Sequence, residues 1–113
     1  MRNILFVSAF ALSAFVPFVA TAQFVGPSAD TVTIMEAMHL SDDSPVIITG
    51  YIEKALGGEK YQFKDDTGTI VIKIDDEDWR GVTVDATDLV EIRGEVDKDF
   101  LDTKIDVDRI TKK

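Results

Sequence analysis

The chain has 113 residues, no cysteine, and 21 Asp and Glu residues against 12 Lys and Arg residues, which gives a formal net charge of −9. This length allows one domain, and the lack of cysteine excludes disulfide bonds, so packing alone must stabilise the fold. The acidic balance argues against nucleic acid as a partner, because affinity for a phosphate backbone comes largely from Lys and Arg side chains. An acidic surface suits solubility, cationic peptides or divalent ions instead.

The N-terminal residues differ from the rest of the chain. Arg2 precedes an almost wholly apolar run over residues 4–19, and the triplet Ala-Thr-Ala follows at residues 20–22. This order is typical of a secretory signal peptide with a small-residue cleavage site, whereas a membrane anchor needs about 20 apolar residues without interruption. We therefore predict a signal peptide over residues 1–22, and no membrane-embedded segment once it is cleaved.

The next part of the chain predicts a leader and a short helix. Residues 23–30 have the composition of a flexible leader, and the folded domain is predicted to cover residues 31–113. Thr33 and Glu36 have the spacing of a capping box, which predicts a helix over residues 34–40. Two turns are not stable alone, so this helix must lie against a sheet. The single histidine, His39, falls near its end, and we interpret it as a capping or surface residue.

Two later stretches predict long strands that face one core. Residues 46–54 and 90–98 share the pattern apolar, apolar, Gly, apolar, Lys at alternate positions. A period of two indicates a strand with one buried face. The glycine recurs at the same position in both stretches, as Gly50 and Gly94, and this suggests a sharp bend of the kind that closes a sheet into a barrel.

The remaining segments complete a set of five predicted strands. Residues 60–65 and 69–75 flank a tight turn, and residues 104–110 form a last strand in which Ile110 breaks the alternation, as at a bulge or a frayed end. The one sizeable irregular insertion, residues 76–85, lies between the third and fourth strands. This order predicts an all-β OB-fold barrel with a small α contribution from the preceding helix, and an SH3-like barrel is the alternative.

Several short motifs follow one another along the chain. They are F-x-G-P at residues 24–27, T-x-x-E at 33–36, G-x-I-E-K at 50–54, Y-x-F-K-D at 61–65, W-x-G-V-T-V at 79–84, V-E-I-x-G-E-V-D-K-D at 90–99 and I-D-V at 105–107. With these motifs and its predicted signal peptide, the chain resembles the bacterial OB-fold (BOF) family, in particular the YgiW/YdeI-like group. The resemblance implies a periplasmic protein linked to tolerance of envelope and oxidative stress, which binds a ligand without catalysis.

No set of side chains in the sequence points to catalysis or to a metal centre. A Ser or Cys nucleophile needs a base, and the chain has no Cys and one His. Acidic residues cluster at 75–78 and 97–102, where their oxygens could bind calcium, but neither cluster has the EF-hand spacing. We interpret both clusters as facing water, and we predict no enzyme activity, no cofactor and no metal site.

The predicted binding site lies on the outer face of the first three strands, near the surface that OB-folds commonly use. An aromatic ring beside amide and ammonium donors suits a small molecule, a glycan or a peptide. Lysines on a strand can also serve only to prevent edge pairing, and Trp79 can plug an open barrel end as well as stack on a ligand. The predicted residues of this ligand-binding site are Tyr51, Gln62, Lys64, Lys73, Trp79 and Arg80.

A second hypothesis is that the chain is an interaction protein that docks on an envelope enzyme or porin without a small ligand.

Overall fold

A computed structural model of the chain describes residues 29–113. The predicted signal peptide and all but the last two residues of the predicted leader lie outside the described residues. Within this part of the chain, no helix is long and apolar enough to cross a membrane. The elements are β1 Asp30–Thr31, α1 Ile34–Ala37, β2 Pro45–Gly57, β3 Lys60–Asp65, β4 Gly68–Ile74, a 3₁₀-helix Asp76–Trp79, β5 Val90–Lys98 and β6 Thr103–Lys112.

The strands form one sheet that closes on itself. The strand order is β1-β2-β3-β4-β6-β5, and an additional pairing of β2 with β5 closes the five long strands into a barrel. The β1–β2 and β4–β6 pairs are parallel, and the other pairs are antiparallel. This closed barrel with little helix confirms the predicted all-β, five-stranded fold class.

Gly50 marks the point where β2 changes partner. Residues before it and Gly50 itself pair with β5, whereas Tyr51 and later residues pair with β3. A Cβ atom at Gly50 would meet the backbone carbonyl oxygen of Lys64, and one at Gly94 would meet that of Asp106. Glycine is needed at both positions because the neighbouring backbone approaches too closely for any side chain.

A bulge in β6 explains the break in its alternation. Arg93 pairs with Arg109, and the next residue of β5, Gly94, pairs with Val107, so that Asp108 is left as the extra residue. The extra residue turns Ile110 back toward the core, where it is buried. The structure therefore supports the bulge and not the frayed end.

The helix is shorter than predicted. Its capping box is present, since the Thr33 hydroxyl accepts from the Glu36 amide and the Glu36 carboxylate accepts from the Thr33 amide. The helix nevertheless ends at Ala37 and not at residue 40. The amides of His39 and Leu40 bond to carbonyls only three residues back, which tightens the last turn.

The core lies inside the barrel, with α1 covering part of it. Ile34 and Ala37 of α1 are fully buried and join the same apolar cluster as the inward strand residues. The one-turn helix thus gains its stability from the sheet, as its length requires.

Strand β2 also runs on to Gly57 rather than ending at Lys54, because register shifts after Ile52 and Ala55 absorb the irregular pairing with β3.

Candidate functional site

Tyr51 and Lys64 face each other across the β2–β3 pair, on the outside of the barrel. Tyr51 is 38% exposed and so presents part of a large aromatic residue to solvent. Together with Glu53 and Ala86 these residues line a groove of about 350 Å³. The structure therefore brings two of the predicted site residues into one concave surface.

Glu53 organises the polar side of this groove. Its side chain lies on the outer face, two residues after Tyr51, and it is the unpaired residue of the register shift between Ile52 and Lys54. Its Oε1 accepts a hydrogen bond from Gln62 Nε2 at 2.7 Å, and its Oε2 lies 3.8 Å from Lys64 Nζ. Gln62 and Lys64 are thus held beside one carboxylate, in a row with the Tyr51 ring.

Our prediction from the sequence missed Glu53 and Ala86. Glu53 follows Tyr51 by two residues, and strand alternation alone would have placed it outward beside the ring. The signal was therefore present in the sequence, but a carboxylate in an acidic chain is not distinctive as a binding residue. Ala86 lies in the irregular segment between β4 and β5, where no periodicity indicates direction.

Tyr51 also lines a second recess. This recess measures about 240 Å³ and has Thr49, Asp66 and Leu89 in its lining. Tyr51 therefore belongs to the lining of two shallow hollows.

Lys73 lies on the outer face of β4, outside the groove. It pairs in register with Lys60, and its Nζ donates a hydrogen bond to Asp75 Oδ1 at 3.1 Å. This hydrogen bond and the negative charge of Asp75 raise the pKa of Lys73 above its ordinary value. Lys73 is thus engaged by Asp75 and is not part of the groove lining.

Trp79 and Arg80 lie away from the Tyr51 groove. The Trp79 ring packs edge-to-face on Tyr61, with centroids 5.5 Å apart and planes at 78°, and it contacts the core while half-buried. Tyr61 projects from β3 on the side opposite to Gln62 and Lys64. Arg80 follows in a left-handed backbone conformation and is exposed. This placement supports the role of Trp79 as a cover for the barrel interior.

Asp97 and Asp99, in the second of the two acidic clusters, are engaged in local contacts. Asp97 accepts from Lys104 Nζ at 2.9 Å, and that hydrogen bond raises the pKa of Lys104 above its ordinary value. Asp99 Oδ1 accepts from the amides of Leu101 and Asp102, within its own turn. In residues 29–113, no group of three or more His, Cys, Asp or Glu side chains is arranged to hold a metal ion.

Comparison with known sequences identifies a matching family and related proteins. The family model for the bacterial OB fold (BOF) protein matches residues 15–112. The calcium-regulated OB-fold protein CarO of Pseudomonas aeruginosa is 36% identical over 100 residues, which cover 87% of this chain and 86% of CarO. Protein YgiW of Escherichia coli K12 is 46% identical over 80 residues, which cover 71% of this chain and 62% of YgiW.

Comparison with solved structures gives the same barrel. The structure of ygiW from E. coli matches with a TM-score of 0.74 at 44% identity, covering 82% of this chain and 100% of that chain. The telomere capping protein Ten1 of Schizosaccharomyces pombe matches with a TM-score of 0.61 at 15% identity, covering 75% of this chain and 81% of Ten1. The second likeness concerns the fold alone. These matches confirm the predicted OB-fold barrel.

Proposed function

Because the chain belongs to the bacterial OB-fold (BOF) family, as its motifs predicted, we propose that it is a non-enzymatic periplasmic protein that binds a polar ligand. The family is an OB-fold binding-type domain and not a known enzyme class. The observation that carries the proposal is the groove around Tyr51, where an exposed ring lies beside Glu53 and Lys64. A shallow surface of this kind acts by occupancy and needs no reacting group.

The chemistry of the groove supports a particular class of ligand. The Tyr51 ring offers an apolar surface for the face of a sugar or an apolar side chain. Glu53 accepts from hydroxyl or amide groups, and Lys64 donates to hydroxyl or carboxylate oxygens. A carboxylate and an ammonium side by side favour a neutral or zwitterionic partner over a polyanion. We therefore propose a glycan or a peptide as the ligand.

The test is a titration that reports on individual residues. Soluble glycan fragments and short peptides are added to the ¹⁵N-labelled protein, and amide shifts are followed by NMR. We expect shifts at Tyr51, Glu53 and Lys64. Replacing both Tyr51 and Lys64 by alanine should weaken binding by about tenfold or more. The free energy of unfolding of this double variant should differ from that of the parent by no more than about 0.5 kcal/mol, because both side chains point outward.

A matched control is Lys60→Ala, on the same strand and face but outside the groove. It should leave the affinity unchanged. Equal affinity in the parent and the double alanine variant would show that the groove is not the site. The docking hypothesis, an interaction with an envelope enzyme or porin, predicts instead that no glycan or peptide causes shifts at these amides.

The proposed location rests on the sequence. Export through a signal peptide over residues 1–22 would give a mature protein that begins at Gln23. N-terminal sequencing of the protein recovered from a periplasmic extract tests this, and an N-terminus at Met1 would contradict it. The link to envelope stress is tested separately. Growth of a deletion strain is compared with that of its parent and of the complemented deletion strain, under oxidant and under envelope damage.

A further inference from the structure

The exposed side of the helical turn at α1 carries two methionines and the one histidine of the sequence. Met35 is 51% exposed, Met38 is 43% exposed, and His39 is exposed as well. They lie at positions i, i+3 and i+4, which share one side of a helical turn. The third methionine is Met1 and the chain has no cysteine, so Met35 and Met38 supply all the sulfur in residues 29–113. Two soft donors and an imidazole thus meet on one exposed surface.

The backbone beneath these side chains is held in place. Ile34 and Ala37, on the other side of the turn, are buried in the barrel core. The Met35 amide donates to Thr67 Oγ1 at 3.1 Å, and the Met38 amide donates to the Ile34 carbonyl at 3.0 Å. The Cα positions of the two methionines are therefore fixed, and only their side chains need to move to meet a ligand.

A hydrogen bond fixes the orientation of the His39 ring. Its Nδ1 lies 3.0 Å from the Met35 carbonyl oxygen, while the His39 amide bonds to the Glu36 carbonyl instead. A carbonyl oxygen can only accept, so Nδ1 carries the proton in this bond. In the neutral ring the free lone pair is then on Nε2. Histidines that bind metals usually donate their other ring N–H in this way, to a backbone carbonyl or a carboxylate.

We propose that Met35, Met38 and His39 form a binding site for the soft monovalent cation Cu(I), with two thioether sulfurs and Nε2 as its ligands. Thioether sulfur and imidazole nitrogen suit Cu(I), whereas Ca²⁺ and Mg²⁺ take oxygen ligands. Side chains three and four positions apart on a helix have Cβ atoms about 5–6 Å apart. The rotatable bonds of methionine let both sulfurs turn toward one ion. The net charge of −9 attracts cations to the protein.

The proposed copper site is separate from the Tyr51 groove. None of its three residues lines the groove, so the proposal does not depend on the proposed function. The expectation from the sequence that the chain has no metal site rested on the acidic clusters and their oxygen ligands, and no residue of those clusters belongs to the copper site. A variant that loses Cu(I) should therefore bind a groove ligand as the parent does.

The first test is competition for Cu(I) between the protein, in the form that cells produce, and the chromophoric chelator bicinchoninate, under anaerobic and reducing conditions. We expect the parent to withdraw Cu(I) from the chelator. Replacing Met35 and Met38 together by leucine should weaken the affinity by about tenfold or more, because leucine keeps the volume of methionine but has no sulfur. A parent that withdraws no Cu(I), or a double leucine variant that competes equally well, would overturn the proposal.

The matched control is Asp43→Asn, which removes an exposed carboxylate from the loop after the helix and leaves all three proposed ligands in place. Asparagine tolerates the positive φ of 68° at this position. This variant should bind Cu(I) like the parent, and unchanged circular dichroism of both variants shows that their barrels are intact. A loss of affinity as large as that of the double leucine variant would mean that negative charge, and not sulfur, holds the ion.

The second test identifies the atoms bound to copper. X-ray absorption at the copper edge distinguishes sulfur neighbours from nitrogen and oxygen, and it recognises imidazole by its ring scattering. We expect two sulfur neighbours and one imidazole in the parent, and no sulfur in the double leucine variant. A parent whose copper has no sulfur neighbour, or no imidazole, would contradict the proposed set of ligands.

Discussion

The backbone amide of Ile34, at the start of α1, donates a hydrogen bond of 2.9 Å to Oδ2 of Asp65, which lies 31 residues later in the chain. The other carboxylate oxygen, Oδ1, accepts from the amide and the hydroxyl of Thr67 and from the amide of Gly68. One carboxylate therefore closes the β3–β4 turn and caps the helix that covers the barrel. The helix is thus held by this side chain in addition to its own capping box.

Replacing Asp65 by alanine should lower the free energy of unfolding by about 2 kcal/mol, because charge-assisted hydrogen bonds to several amides are lost together. Urea denaturation followed by circular dichroism measures this change. Asp66→Ala is the matched control, since Asp66 is its exposed neighbour in the same turn. Equal stability of the two variants would show that the Asp65 contacts contribute nothing to the fold.

The same carboxylate predicts a pH dependence. Burial alone would raise the pKa of Asp65, but hydrogen bonds from the Thr67 hydroxyl and from the amides of Ile34, Thr67 and Gly68 outweigh it. The pKa therefore lies below its ordinary value of 3.8. A depressed pKa means that the stabilisation is fully present above the unfolded pKa and is lost as the pH falls through the folded pKa.

The measurement is the difference in free energy of unfolding between the parent and Asp65→Asn as the pH is lowered. We expect a constant advantage of the parent at neutral pH, which shrinks once the pH passes below the ordinary aspartate pKa. A difference that stays the same down to the most acidic condition would contradict the assigned shift.

The two strand glycines should not tolerate a side chain. Gly50→Val or Gly94→Val should destabilise by about 1–3 kcal/mol, because the new Cβ meets a backbone carbonyl of the neighbouring strand. Gly68→Ala is the control, since a Cβ there meets nothing within 4 Å and its φ is not positive. Thermal melts of the three variants give the comparison. Unchanged melting of both valine variants would exclude close strand approach at these sites.

The Tyr61–Trp79 contact should be measurable as a coupling. A double-mutant cycle with Tyr61→Leu and Trp79→Leu should give an interaction energy of about 0.5–1.5 kcal/mol, as expected for an edge-to-face aromatic pair. Urea denaturation of the parent, both single variants and the double variant supplies the four values. Strict additivity would mean that the rings do not stabilise each other.

The features that depend on near neighbours could be predicted from the amino-acid sequence. Alternation in residues 69–75 puts Ile70, Ile72 and Ile74 on one face, which the structure buries, and the three-residue spacing of Thr33 and Glu36 located the start of the helix. The shared glycine position marked the two places where strands approach closely. These signals are local, because a strand period and a capping box are set within a few residues of chain.

Contacts between distant groups could not be predicted, because they form only when the barrel closes. Two residues, Asp30 and Thr31, are too few to predict a strand, yet they pair with β2 because its edge is available there. The contacts of Glu53 with Gln62 and Lys64 arise from the pairing of β2 with β3, and the bond from Ile34 to Asp65 requires the barrel to be closed. Each of these contacts depends on backbone register between segments far apart in sequence, and no local pattern encodes that register.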